Sequence, residues 1–169
     1  MNFFDVIDKR QSIRKFKNKK IENDKLIAIL ETANSAPSAG NLQAYEIFLI
    51  RDKYKKKLLA KASYNQDFIE EADVILIFCA NPSRSKHYGQ RGEKLYCIQD
   101  ATIAASYTQL TVTALGLGSV WVGAFNDEKV SEIIGDRSLI PVAIVPIGYP
   151  DEKPRKTSRR KLEDLVHRL

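Results

Sequence analysis

The chain of 169 residues has only two cysteines, two histidines, one methionine and one tryptophan, and each scarcity removes a class of chemistry. Cys79 and Cys97 have no C-x-x-C spacing, and Cys79 follows the apolar run Val74-Ile75-Leu76-Ile77-Phe78. It reads as a buried reduced thiol rather than half of a disulfide or redox pair. His87 and His167 share ligand spacing with no carboxylate or cysteine, so no metal site is expected. No serine lies in a G-x-S-x-G elbow, which leaves a Ser/His/Asp hydrolase unsupported. No stretch approaches the ~20 consecutive apolar residues of a membrane span. The start, Met1-Asn2-Phe3-Phe4-Asp5, has neither the basic nor the apolar region of a signal peptide, so no membrane partner and a cytoplasmic location are expected. The one crowd of acids, Asp67, Glu70, Glu71 and Asp73, reads as a solvated face rather than an acid–base pair.

What is present suits one domain over residues 1–169, a size that buries roughly 70% of its unfolded surface. Hydrophobic residues make up 44% of the chain, and the net charge is +6. Positive charge raises nucleic acid as a partner. The basic residues are scattered, however, over Lys15 to Lys20, Lys53 to Lys57 and Lys153 to Lys161, with no zinc spacing and no helix-turn-helix. A nucleic-acid partner is not expected. The third cluster, with Arg155, Arg159 and Arg160, suits a phosphate or acidic ligand better than a solvated surface.

Periodicity predicts a short helix from Asn2 to Lys9, capped by Asn2, with Phe3, Val6 and Ile7 on one face. A second helix starts near Asn23 or Asp24 and dissolves at Asn34-Ser35-Ala36-Pro37. Strands are predicted at Tyr45 to Ile50, Val74 to Ala80, Ser119 to Gly123 and Ile140 to Ile147. Asp52 caps a lysine-rich helix reaching about Lys61, Phe68 to Ala72 is briefly helical, and Asp127 to Ile134 forms another helix. Pro82 to Gly92 reads as an irregular loop and candidate lid. Glu93 to Leu115 is the longest helix, with small and apolar residues nearly all round, so it is expected to be central and to need a dimer partner to cover it. The strands are apolar runs without alternation, which predicts an α+β three-layer sandwich with helices on both sheet faces.

Two stretches carry chemistry. Arg10, Ser12 and Arg14 alternate, so an extended backbone sends all three to one side, where two guanidiniums and a hydroxyl make a phosphate cradle. Pro37-Ser38-Ala39-Gly40-Asn41-Leu42-Gln43 is built of small residues that allow close approach to a flat ligand. On an extended chain Asn41 and Gln43 offer donors and acceptors to a uracil-like ring edge, and Asn65 and Gln66 offer the same. Gly116-Leu117-Gly118 follows a helix rather than opening one, so it is a helix stop and not a dinucleotide fingerprint. Gly123 and Ala124 are small residues at a strand end, where backbone N–H groups can face a planar ligand. Together these stretches point to a flavin mononucleotide (FMN) site. The absence of an acid–base constellation agrees, because a flavin performs the redox chemistry itself.

On four blocks in order, the sequence resembles the nitroreductase family of FMN-dependent oxidoreductases. They are Arg10 to Phe16, Ser35 to Gln43, Gly116 to Phe125, and the tail Arg159 to Val166. The resemblance implies a three-layer α-β-α sandwich with a mixed, mostly antiparallel sheet, and an intertwined homodimer with FMN at the interface. It implies that Arg10, Ser12 and Arg14 hold the phosphate and ribityl chain, with Pro37, Ser38, Ala39 and Asn41 supplied by the partner subunit. Asn65 would meet the pyrimidine edge, the N–H of Gly123 or Ala124 would face flavin N5, and Arg159 or Arg160 would complete the phosphate site. No catalytic side chain is expected. The chain departs from the family pattern at Gln11, at Ala44-Tyr45 and at Lys161, the last leaving the choice between Arg159 and Arg160 open.

The activity implied is ping-pong hydride transfer from NADH or NADPH through FMN to a small-molecule acceptor such as a nitroaromatic or quinone. Three alternatives stand beside it. They are a specialised flavin reaction (reductive dehalogenation or flavin fragmentation), a flavin store without useful turnover, and a basic nucleic-acid binder.

Overall fold

The computed structural model describes residues 1–154 and 156–169; Arg155 lies outside the described residues. Helix α1 spans Phe3–Lys9 and opens with a reciprocal capping box between Asn2 and Asp5, which satisfies two orphan donors at its start. Helix α2 spans Asn23–Asn34, followed by strand β1 at Tyr45–Ile50 and helix α3 at Lys53–Ala62. Asp52 caps α3 by accepting from the Lys55 N–H at 2.8 Å. The short helix α4, Phe68–Glu71, leads into strand β2, Val74–Ala80, all of it buried. The long helix α6 covers Cys97–Ala114, and strand β3 (Gly118–Ser119), helix α7 (Asp127–Ile134) and strand β4 (Ile140–Gly148) follow.

The strands pair antiparallel in the order β1-β2-β4-β3. Alternate residues of β2 explain the layers. Val74, Leu76, Phe78 and Ala80 join Ala143, Val145 and Ile147 beneath α2 and α6. Ile75, Ile77 and Cys79 join Ile144 on the other face, with Leu59, Ile69 and Val130 from α3, α4 and α7. A strand buried on both faces has no polar side to show, hence its unbroken apolar run. The three-layer sandwich expected from the sequence is therefore observed. The only parallel pairing among the described residues is a bridge between Ser12 and Ser119. Both thiols are free and buried, and burial pushes the Cys79 thiol up to about 12. No helix among the described residues is long and apolar enough to cross a membrane.

Several expectations need correction. Pro82 to Gly92 is no irregular loop: Pro82–Tyr88 is a 3₁₀ helix, Gly89–Arg91 a single α-turn (α5) and Gly92–Tyr96 a π-turn running into α6. The Ser85 hydroxyl donates to the Gly92 carbonyl at 2.9 Å and folds the segment back on itself. A side chain at Gly92 has no room, since its Cβ would lie 2.1 Å from the Ser85 carbonyl. The strand expected over Ser119 to Gly123 shrinks to two residues, with Val122 rejoining Ile144 as an isolated bridge. On α1 only Val6 is buried, while Phe3, Phe4 and Ile7 stand exposed. Helix α6 is buried against the sheet through Ala101, Ala104, Ala105 and Val112, but Ser106 and Tyr107 are open.

Candidate functional site

The segment after α1 is stapled to the sheet edge before it reaches any ligand. Ile13 N–H donates to the Ser119 carbonyl at 3.0 Å, Lys17 N–H to the Tyr149 carbonyl at 2.8 Å, and Asp151 N–H to the Lys15 carbonyl at 2.9 Å. Ile13 is buried, so its neighbours Ser12 and Arg14 turn outward. Gly118 is required for this close approach, because a Cβ there would sit 2.8 Å from Ile13. Arg10, Gln11, Ser12 and Arg14 then line one cavity of about 350 Å³, with Glu152, Pro154 and Thr157 on its far wall.

The donor set fits a phosphate. Neither the Arg10 nor the Arg14 guanidinium has a hydrogen bond or ion pair among the described residues, so both forks are available to oxygen atoms. One feature opposes an anion: the Glu152 carboxylate, which also lines the cavity, accepts from the Arg14 backbone N–H. The tail arginines do not line this cavity. Arg159 is turned onto the Thr157 hydroxyl at 2.8 Å, and Arg160 onto the Asp164 carbonyl. Arg155, expected beside them, lies outside the described residues.

A second group of candidates is drawn together at the other end of the same edge. Gln66 Nε2 donates to the Ala124 carbonyl at 3.2 Å and to the Ser63 carbonyl at 2.9 Å, and Asn126 N–H donates to the Ala62 carbonyl at 2.8 Å. Tyr64 and Asn65 adopt left-handed backbone, φ 56° and 61°, a conformation Asn tolerates better than Tyr. Asn65, Gly123 and Ala124 are all exposed. The N–H groups of Gly123 and Ala124 have no acceptor among the described residues, leaving two free backbone donors where Gln66 meets Ala124.

The third group stands apart. Pro37, Ser38 and Ala39 border a different cavity, about 540 Å³, with Tyr96, Asp100 and Ile103. The two cavities share no residue. The expectation of an extended Asn41-to-Gln43 segment is overturned: Ala39–Asn41 is a 3₁₀ turn, and Gly40, Asn41 and Gln43 have φ of 56°, 57° and 44°. The Gln43 amide is used internally, donating to the Ser38 hydroxyl at 3.2 Å and the Asn41 carbonyl at 2.7 Å. Asn41 keeps an exposed side chain.

Sequence reasoning missed the groups that hold this loop. Asp100, almost wholly buried in the first turn of α6, accepts from the Ala39 N–H at 2.9 Å and the Ala44 N–H at 3.3 Å. Arg84 clamps the Leu42 carbonyl with two N–H groups at 3.1 and 3.0 Å. The Tyr88 ring lies so close over Gly40 that a Cβ there would meet its hydroxyl at 2.2 Å. His87 is exposed and stacks on Tyr88 at 3.9 Å between centroids. No group of three metal-ligating side chains exists among the described residues.

A family model described as the Nitroreductase family matches residues 7–66 and 54–149. The chain belongs to the nitroreductase family. It is similar to an NADH dehydrogenase of Thermus thermophilus, 31% identical over 94% of this chain and 91% of the relative. It is also similar to an FMN reductase [NAD(P)H] of Bacillus subtilis, 28% identical over 93% of this chain and 69% of the relative. The crystal structure of nitroreductase A from Vibrio parahaemolyticus superposes with a TM-score of 0.92, at 29% identity over 99% of this chain and 76% of that one. As a nitroreductase-family chain, the molecule carries its three groups of candidate residues on the sheet edge and on the loop held by Asp100. All of them are presented on the family's sandwich.

Proposed function

We propose that the chain, as one domain over residues 1–169, is an FMN-dependent NAD(P)H oxidoreductase acting on a small-molecule acceptor such as a nitroaromatic or quinone. The observation that carries this reading is the pair of unpartnered guanidiniums, Arg10 and Arg14, converging with Ser12 on one cavity. The names of the similar FMN reductase of Bacillus subtilis and NADPH-flavin oxidoreductase of Vibrio harveyi support it.

Bound FMN would supply the redox chemistry, accepting hydride from the nicotinamide and passing electrons to the acceptor. The chain's own residues bind and orient. Arg10 and Arg14 neutralise the phosphate, and the Ser12 hydroxyl donates to it. Asn65 presents an amide to the pyrimidine edge. The free N–H groups of Gly123 and Ala124 are the donors for the N5 side of the ring, where fixed backbone dipoles stabilise developing negative charge without reorganising. Arg159 or Arg160 would complete the phosphate site on leaving its present partner, an exposed group of the tail itself.

The working unit is a homodimer in the cytoplasm. The loop of Pro37, Ser38, Ala39 and Asn41 shares no cavity with Arg10, so a second chain would bring it to the flavin. Exposed Phe3, Phe4 and Ile7 on α1, Tyr107 on α6 and Leu162, Leu165 and Val166 on the tail are the apolar surface that such an interface would cover. The test is direct. Purified protein should carry FMN, and anaerobic mixing with NADH or NADPH should bleach its absorbance within single-turnover time. A colourless protein that gains no flavin on titration overturns the reading, and a yellow one that neither nucleotide bleaches leaves only storage.

A further inference from the structure

A cavity of about 650 Å³, larger than either of those above, opens between the Phe16-to-Lys20 segment, the start of α3 and the corner from α4 into β2. Six cationic side chains line it: Lys17, Lys19, Lys20, Arg51, Lys53 and Lys56. Three carboxylates share the wall, Glu70, Glu71 and Asp73. Asp73 is already engaged, accepting from the Ile21 N–H at 2.9 Å and lying 3.6 Å from Arg51. Lys19 is drawn towards Glu22 and the Tyr149 ring. Lys17, Lys20 and Lys53 make no ion pair among the described residues.

At the floor sits Lys56, only 8% exposed. Its ammonium donates to the Ala72 carbonyl at 2.5 Å and has no other partner among the described residues. An ammonium carries three donors, so two remain without a protein acceptor at the floor of the cavity. Burial pulls the Lys56 pKa down and Lys53 adds to the fall, against the opposing pull of Asp73 and Glu70. Its place in the first turn of α3 puts it beside the helix's positive end, a further cost for a cation. A buried, under-partnered cation ringed by free lysines wants an anion with several oxygens.

We propose that this groove binds a compact, multiply charged phosphate compound, with Lys56 at its floor and Lys17, Lys20 and Lys53 at its rim. The volume is that of a small-molecule site, whereas an extended nucleic acid needs a basic stripe rather than one pocket. The site is separate from the Arg10–Arg14 cradle, since the two cavities share no lining residue, and it does not depend on the flavin reading.

The test is calorimetric titration of inorganic pyrophosphate into the protein with excess FMN, so that the other phosphate site is filled. At physiological ionic strength, saturable binding of one pyrophosphate per chain is expected. Lys56→Met keeps the apolar stem and should weaken it by about tenfold or more, the scale of one charge-assisted contact. The rim double variant Lys17→Gln/Lys53→Gln should weaken it comparably while leaving flavin absorbance unchanged, which guards against a misfolded Lys56 variant. No saturable binding, or binding unchanged in both variants, overturns the proposal. So does an oligothymidylate that competes as tightly per phosphate as pyrophosphate, because that outcome marks an open polyanion face.

Discussion

The Asp100 carboxylate holds the backbone N–H of Ala39 at 2.9 Å. Its second oxygen reaches the Ala44 N–H at 3.3 Å, so one buried carboxylate from α6 brackets the whole turn that contains Ser38, Gly40 and Asn41. A carboxylate is an acceptor at both oxygens. An asparagine in its place could answer only one of the two N–H groups and would turn an amide donor on the other. Asp100→Asn should therefore cost about 1.5–3 kcal/mol of folding stability, the scale of a hydrogen bond to a charged group. It should also weaken FMN binding, although Asp100 need not touch the flavin. Denaturant unfolding and FMN titration measure the two effects. An unchanged midpoint would show that the turn holds itself.

The phosphate assignment makes a separable prediction. Arg10→Ala removes one of the two unpartnered guanidiniums of the 350 Å³ cavity and should weaken FMN binding by about 1.5–3 kcal/mol. Riboflavin, which has no phosphate, is the control. Titration of both into apo-protein should show a loss for FMN and almost none for riboflavin. Equal losses would move the phosphate elsewhere.

Acid sensitivity follows from the group around Tyr149. The Tyr149 hydroxyl donates to Glu22 at 2.5 Å and holds the Glu22 carboxyl down at about 2, with Lys25 and Lys19 assisting. A carboxyl whose pKa falls on folding contributes stability that is present above its unfolded value and lost as pH drops through its folded one. Lys25 shifts the other way, raised chiefly by its 2.8 Å hydrogen bond to Tyr149, so its share is present below its ordinary pKa and lost above. Tyr149→Phe should thus melt below the wild type at neutral pH. The gap should narrow as the pH falls from the ordinary glutamate value of 4.5 to about 2, and again in strong alkali. A gap that stays constant across that acid range would remove Glu22 from the explanation.

How much of this was legible in the sequence depended on whether the determinants were local. The β2 run Val74 to Ala80 is apolar at every position, and the structure buries every one. The caps Asn2, Asp52 and Asn126 sit next to the helices they start, and the first two are readable from composition alone. Arg10, Ser12 and Arg14 alternate around the buried Ile13, so the cradle follows from a period of two that ends before the buried Phe16. The failures are long-range. Pro82, Gly89 and Gly92 look like loop residues until the Ser85 hydroxyl is seen folding the segment onto Gly92. Gln43 looks like a ligand amide until its left-handed backbone turns it onto Ser38. Asp100 is a lone acid in an apolar helix, and nothing local says that Ala39 and Ala44 are its partners. The exposed Phe3 and Phe4 show the converse: an apolar pattern tells which face is buried only once something is there to bury it.

On the proposed reading the chemistry rests on backbone rather than side chains, and that can be tested by contrast. The N–H groups of Gly123 and Ala124 are free and exposed, and no truncation of a side chain deletes them. Bulk can displace what they face. A Cβ at Gly123 would already lie 3.1 Å from the Trp121 indole nitrogen, so the two extra methyls of Gly123→Val must push either the indole or the flavin aside. Flavin bleaching by NADH or NADPH should then slow by about a hundredfold or more, some 2.7 kcal/mol of barrier, in molecules that retain FMN. Histidine offers the opposite case. His87 is exposed on Tyr88 and His167 lies on the exposed tail, and the proposed reading gives neither of them a proton to pass. Replacing either with Ala should change the bleaching rate by less than about tenfold, under ~1.4 kcal/mol. Single-turnover reduction of the three variants measures all of this. A hundredfold loss in His87→Ala with FMN still bound would put a catalytic side chain in the 3₁₀ segment Pro82–Tyr88. The backbone account of N5 would then give way to a proton donor from that segment.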